Sequence, residues 1–291
     1  SQADVAAFDD ALLGHGSHVM SNVSRSLFHS LTGGRLLGAP RRGIRGHYYR
    51  QLSRMSLAFA VTADATLLSL GGGLKRKESL SGRLGDVLSL LYLGSAVLKH
   101  HHDNGSPDDE LPLLEWACQD LLYDMQTQLY EVLNNLPNRM IAGTVRLLTF
   151  PLGRPRKRPS DKLGLQVAKL IMQPGALRDR LTEAVYIPVN KSEPVAQLDD
   201  ALEKSVAAAP VLRKLRTAMK AGSLDKGDPE EHIDDGVSAG IITDQEAAVI
   251  RGAIAARKVV IQVDEFLPEY LTKERREWGN SNLGGVAGQS L

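Results

Sequence analysis

Three consecutive glycines, Gly71-Gly72-Gly73, separate two long apolar runs, and this punctuation constrains the chain more than any other feature. The first run leads from Tyr48 through Arg54 and Met55 to Leu70. The second, after the polar Leu74-Lys75-Arg76-Lys77-Glu78, runs from Leu80 to Leu98. Both are too long for strands, and glycine is costly inside a regular helix. The pattern predicts two long helices hinged at the glycines, forming a hairpin from about His47 to Leu98. The fold class that follows is all-α: a long helical hairpin with additional packed helices, a multi-helix bundle.

The flanking segments read the same way. Residues 4–32 carry Val5, Phe8, Leu12, Val19, Val23, Leu27 and Leu31 at roughly helical spacing, stopped by Gly33-Gly34. A basic loop with Pro40 joins this helix to the hairpin. Ser106-Pro107-Asp108-Asp109 has the cap, proline and acids of a helix start. Leu114, Ala117, Leu121, Met125, Leu129, Val132 and Leu136 then share one face. Shorter helices follow, with breaks at Pro174-Gly175, Pro188 and Pro210. Thr243-Asp244-Gln245-Glu246 is a capping box opening a helix through Val260. We expect a helical domain at 1–174 holding the hairpin, a smaller helical subdomain at 175–270, and a polar, loosely held tail at 271–291.

Composition narrows the function classes. A net charge of +1 gives no global attraction to nucleic acid or anionic lipid, so any electrostatic role depends on local clustering. Cys118, the single cysteine, excludes an intramolecular disulfide and a cysteine-rich zinc site. It reads as a buried structural thiol and suits a reducing cytosol. The first 30 residues lack a signal peptide. Met55 to Leu70 falls short of the about 20 apolar residues of a membrane span. A start at Ser1 rather than methionine suits a piece of a longer polypeptide.

The candidate site residues are few. Asp86 lies among apolar residues in Arg83-Leu84-Gly85-Asp86-Val87-Leu88. Burial there demands a partner, either Arg83 or an arginine of the preceding helix such as Arg54, and a structural ion pair of Arg83 with Asp86 is the leading reading. His100-His101-His102 cannot converge on one metal from a regular helix and reads as a solvated helix end. Arg139 to Gly153 runs into Arg154-Pro155-Arg156-Lys157-Arg158-Pro159. An interfacial anchor would use Arg139, Arg146, Phe150, Leu152, Arg154, Arg156, Lys157 and Arg158 on anionic headgroups. The competing reading is a core helix leaving through a solvated, proline-stiffened loop. No aromatic platform interleaves the basic residues, which disfavours nucleic acid. No phosphate loop, nucleophile elbow, His-Glu-x-x-His or dinucleotide fingerprint occurs.

Several longer motifs are recognisable as a set. Val23-Ser24-Arg25-Ser26-Leu27 with Leu31-Thr32, Tyr48-Tyr49-Arg50-Gln51-Leu52-Ser53-Arg54, Gly72 to Glu78, and Arg83 to Leu88 stand in order. So do Ser95 to Lys99, Leu111-Pro112-Leu113, Leu136 to Arg139, Pro159 to Leu163, and Asp244 to Ala248. Together they closely resemble the C-terminal region of the large bacterial acyl-CoA dehydrogenases of the FadE type, over nearly the whole chain and weakening after about Tyr270.

The resemblance implies a parent enzyme that oxidises fatty acyl-CoA to trans-2-enoyl-CoA with FAD. Its catalytic glutamate and flavin-binding portion lie upstream of this region. No catalytic, FAD-contacting or metal residue is therefore carried over, and none of these groups is expected within this segment. The implied partners are an upstream dehydrogenase core, a second copy in a homodimer, acyl-CoA bound by the full enzyme, and an anionic membrane surface. The implied location is the cytoplasm, with peripheral association on the inner face of the inner membrane. The alternative is a stand-alone helical interaction module without redox activity.

Overall fold

The computed structural model describes residues 2–263, so the expected tail at 271–291 lies outside the described residues. The chain divides into two compact units, Ser1–Ile171 and Met172–Leu291. The described residues are helical and contain no strand, which makes the fold all-α.

The first unit holds α1 (Gln2–Leu31), α2 (Gly43–Leu70), α3 (Glu78–Asp103), α4 (Leu111–Asn135), α5 (Arg139–Thr149) and α6 (Asp161–Met172). The three glycines open a short 3-10 turn, Gly71–Arg76, between α2 and α3. Gly71 takes φ +50°, a left-handed conformation that a side chain would strain, and its N–H bonds the carbonyl of Leu67. The hairpin is antiparallel: the Tyr49 hydroxyl donates to the Leu98 carbonyl at 3.2 Å. Gly94 lets the two helices close, because a Cβ there would fall 2.9 Å from Leu52 Cδ1.

Steps of three and four residues set the core. α2 buries Tyr48, Gln51, Met55, Ala58 and Thr62, while α3 buries Leu80, Leu84, Val87, Leu91 and Leu98. α4 lies against both, with Leu114, Cys118, Leu122, Met125, Leu129 and Leu133 inward. Its buried stripe is centred one residue later than the pattern suggested: Ala117 and Leu121 are only half-buried, and Cys118 and Leu122 take the centre. Each fully buried Leu or Met contributes about 1.5–3 kcal/mol. By length and composition, the stretch 43–76 is apolar enough to cross a membrane, contrary to the expectation for Met55 to Leu70. One face of this helix is nevertheless the core of the first unit.

Asp86 corrects an expectation. It is exposed, and the Arg83 guanidinium donates to its own helix at the Ser79 carbonyl, 3.4 Å. Leu84, Val87 and Leu91 occupy the inward positions of α3, so the same periodicity turns Asp86 outward and removes the need for a buried partner.

The second unit packs α8 (Pro194–Lys220) against α10 (Asp244–Ile261), with the short α7 (Ala176–Thr182) and α9 (Ile233–Ser238). Ala208, Val211 and Leu215 meet Ala247, Ile250 and Ala253. Pro210 does not end a helix: α8 runs through it, because burial on both sides holds the axis despite the lost main-chain bond. At Gly236 a Cβ would meet Leu215 Cδ2 at 2.4 Å, so α9 approaches closely only with glycine there. The capping box forms as expected, Glu246 N–H to Thr243 Oγ1 at 3.2 Å and Thr243 N–H to Glu246 Oε2 at 3.0 Å.

Candidate functional site

After α5, Phe150 ends the helix and Pro151 cannot continue it, so the basic segment leaves as an extended strap. The strap lies antiparallel along α4. Arg158 bonds Asp120 at 2.5 Å and Asp124 at 2.8 Å, and stacks 4.6 Å from the Tyr123 ring centre. The Arg156 main chain exchanges bonds with the Gln126 amide, at 3.0 and 3.3 Å. Arg154 donates to Thr127 Oγ1 at 3.2 Å and sits 5.2 Å from the Tyr130 ring centre. Phe150 packs on Tyr130 at 4.8 Å and is 3% exposed.

The eight residues proposed as an anchor therefore split. Phe150 is core, Arg156 is half-buried, and Arg158 is neutralised by two aspartates. Arg146 is half-buried between Asn134 Oδ1, 2.7 Å, and the Tyr130 ring, 5.6 Å. Arg139, Leu152, Arg154 and Lys157 are exposed, although Arg139 reaches the Asn134 carbonyl at 2.6 Å. Acids, aromatics and a hydroxyl at Asp120, Tyr123, Asp124, Thr127 and Tyr130 recur on one side of α4, a pattern legible in the sequence only when read against the basic cluster.

Arg54 lies beneath the strap's side of α2, 5% exposed. Its Nη2 faces the Thr149 carbonyl at 3.4 Å, which also accepts from Ser30 Oγ at 2.8 Å. Arg156 Nη2 bonds Gln51 Oε1, and Gln51 Nε2 donates to the Gly33 carbonyl at 2.8 Å. Burial, reinforced by the neighbouring Arg156, pushes the Arg54 guanidinium down to about 10, still cationic at neutral pH. Burial likewise lowers Arg156. His47 is lowered by burial first, then by Arg156 and Arg50.

A second buried polar cluster joins α2 to the end of α3. His101 and Glu110 are 5% and 4% exposed, with His101 Nδ1 3.4 Å from Glu110 Oε2. Arg45 donates to His101 Nε2 at 3.0 Å, to the Ser106 carbonyl at 3.0 Å and to Asp108 at 2.6 Å. Ser106, in the left-handed region at φ +58°, is held by that bond. The middle histidine is thus not solvated, contrary to expectation. His102 accepts from Arg41 at 3.2 Å, so the neighbours turn to different partners, and no metal-holding cluster occurs among the described residues.

An open groove of about 670 Å³ lies between α1, α2 and α5, walled by Val19, Met20, Val23, Leu68, Met140 and Leu148. Its walls carry no arginine or lysine for a pyrophosphate, and no step of flavin chemistry is assigned to these residues. Cys118 lies in the apolar core, where burial pushes its thiol up to about 12, far from a reactive thiolate.

No solved structure matches the chain. The model of a protein family described as acyl-CoA dehydrogenase, C-terminal, bacterial type matches residues 1–266, in agreement with the motifs and the all-helical architecture. This chain belongs to the bacterial-type acyl-CoA dehydrogenase C-terminal family.

Proposed function

We propose that this chain is the accessory C-terminal part of a FAD-dependent acyl-CoA dehydrogenase of fatty-acid β-oxidation, and that it acts as a scaffold rather than a reaction centre. Its role is to form subunit contacts and to dock the enzyme on an anionic membrane surface from the cytoplasmic side. The observation that carries this reading is the apolar groove left open between α1, α2 and α5. Leu67, Leu68 and Met140 are 53%, 82% and 84% exposed around it, a density of apolar surface that marks an interaction face. Docking on lipid falls to Arg139, Arg154 and Lys157 with Leu152, since Arg156, Arg158 and Phe150 are engaged within the unit.

Sedimentation equilibrium of the purified chain tests the subunit contact. Leu68→Glu with Met140→Glu should convert a dimer into monomer; a wild type that is monomeric at all concentrations would remove the contact. Liposome co-sedimentation tests docking. Arg139→Glu with Lys157→Glu should abolish salt-sensitive binding to anionic vesicles, and unchanged binding by that variant would remove the docking role. The purified chain should also show no flavin absorption.

A further inference from the structure

Arg54 and Arg156 are cations of the first unit drawn into the fold without an acid partner, as Arg146 is with Asn134 and the Tyr130 ring, but Arg54 and Arg156 also lie close enough for the charge of one to act on the other. Their bonding partners are neutral: the Thr149 carbonyl for Arg54, Gln51 Oε1 and the Gln126 amide for Arg156. The Nε–H of each is buried without a hydrogen-bond partner. Among the described residues neither forms a salt bridge; Arg156 adds to the lowering of Arg54, and Tyr48 opposes that of Arg156. Two acids of α4 beside the strap, Asp120 and Asp124, are both taken by Arg158. Elsewhere in the unit Arg45 reaches inward too, but it meets Asp108.

A guanidinium removed from water without a counter-charge is expensive, and a second guanidinium acting on it adds to the cost. Folding tolerates such an arrangement where the missing charge is supplied from outside. Guanidinium forks fit oxygens of planar or tetrahedral anions, and a buried fork with free donors binds them more strongly than a solvated one. The Ser26 hydroxyl, one turn before Ser30 on the same face of α1, is 1% exposed and also lacks a partner.

We infer that Arg54 and Arg156 form a receptor for a small oxyanion of the phosphate or carboxylate class, held between α2 and the strap by their unpaired guanidinium donors. The site is separate from the apolar groove and does not rest on the scaffold role. The anion would neutralise the pair and pin the strap to α2, so that its binding is read as stability of the first unit.

Thermal unfolding of the purified chain in phosphate, acetate or chloride at matched ionic strength and pH is the test. Phosphate or acetate should raise the midpoint saturably over chloride, by about 5 °C at a hundredfold excess over Kd. Which of the two raises it identifies the class. Arg54→Met and Arg156→Gln should each abolish the increment. Arg156→Gln keeps the main-chain bonds to Gln126, so it tests the site even if Arg54→Met unfolds. His47, which feels the charge of Arg156, supplies an independent readout: the effective anion should raise its NMR titration midpoint. Equal midpoints in all three salts, an increment retained in Arg156→Gln, or an unmoved His47 titration would overturn the assignment.

Discussion

Two polar clusters are buried in the same unit, and they solve the cost of burial differently. In the first, Arg45, His101 and Glu110 alternate donors and acceptors, with Asp108 closing the outer end. In the second, Arg54 and Arg156 share amides and carbonyls and leave donors unmatched. The first cluster pairs Arg45 with an acid of the chain and ties the start of α2 to the turn after α3. The second is electrostatically open. The difference teaches that burial alone does not identify a functional charge. What separates the two is whether the chain supplies the opposite sign.

This contrast predicts effects of opposite direction. The largest falls on the first cluster: Glu110→Ala leaves the buried His101 Nδ1 without its carboxylate partner and should cost about 1.5–3 kcal/mol in urea unfolding. A loss below 1 kcal/mol would mean the two clusters are equivalent. Next, Arg54→Met in chloride buffer replaces an uncompensated charge with an apolar chain. It should leave stability unchanged or raise it by about 1–3 kcal/mol; a loss as large as that of Glu110→Ala would erase the distinction.

Cys118 supplies a neutral buried reference. Its folded-state pKa, about 12, lies above its ordinary value, so above pH 9 the unfolded chain loses the thiol proton first and binds fewer protons. Stability should therefore fall with rising pH, by about 1.4 kcal/mol per unit from this group between pH 9 and 12. Cys118→Ala should remove that component of the slope. The smallest effect belongs to Arg158, whose acid partners are half-exposed. Arg158→Ala should lower Tm by no more than about 2 °C, and the difference should vanish in 1 M salt.

The helices were largely legible from local pattern. Gly33-Gly34, the three glycines at 71–73 and the Thr243 capping box all act within a few residues, and their positions in the structure agree with their chemistry. Pro210 was misleading for the same reason: its local cost is real, but packing of α8 on α10 outweighs it. The site was less legible. Asp86 looked buried because its neighbours are apolar, yet a shift of 100° per residue turns it to solvent. Arg54 was visible as a charge one residue before Met55 in the inward stripe of α2. Its lack of an acid depends on what α1, α5 and the strap bring near it.

The amino-acid order by itself determined the helical class, the glycine hinge, the isolated cysteine and the family, because periodicity, backbone freedom and motif order are local properties. Only the tertiary structure decided that the strap lies on α4, that Arg158 is neutralised while Arg54 and Arg156 are not, and that His101 is buried. Those outcomes depend on pairs of residues separated by 30 to more than 100 positions, whose meeting is set by packing of whole helices and not by any segment alone.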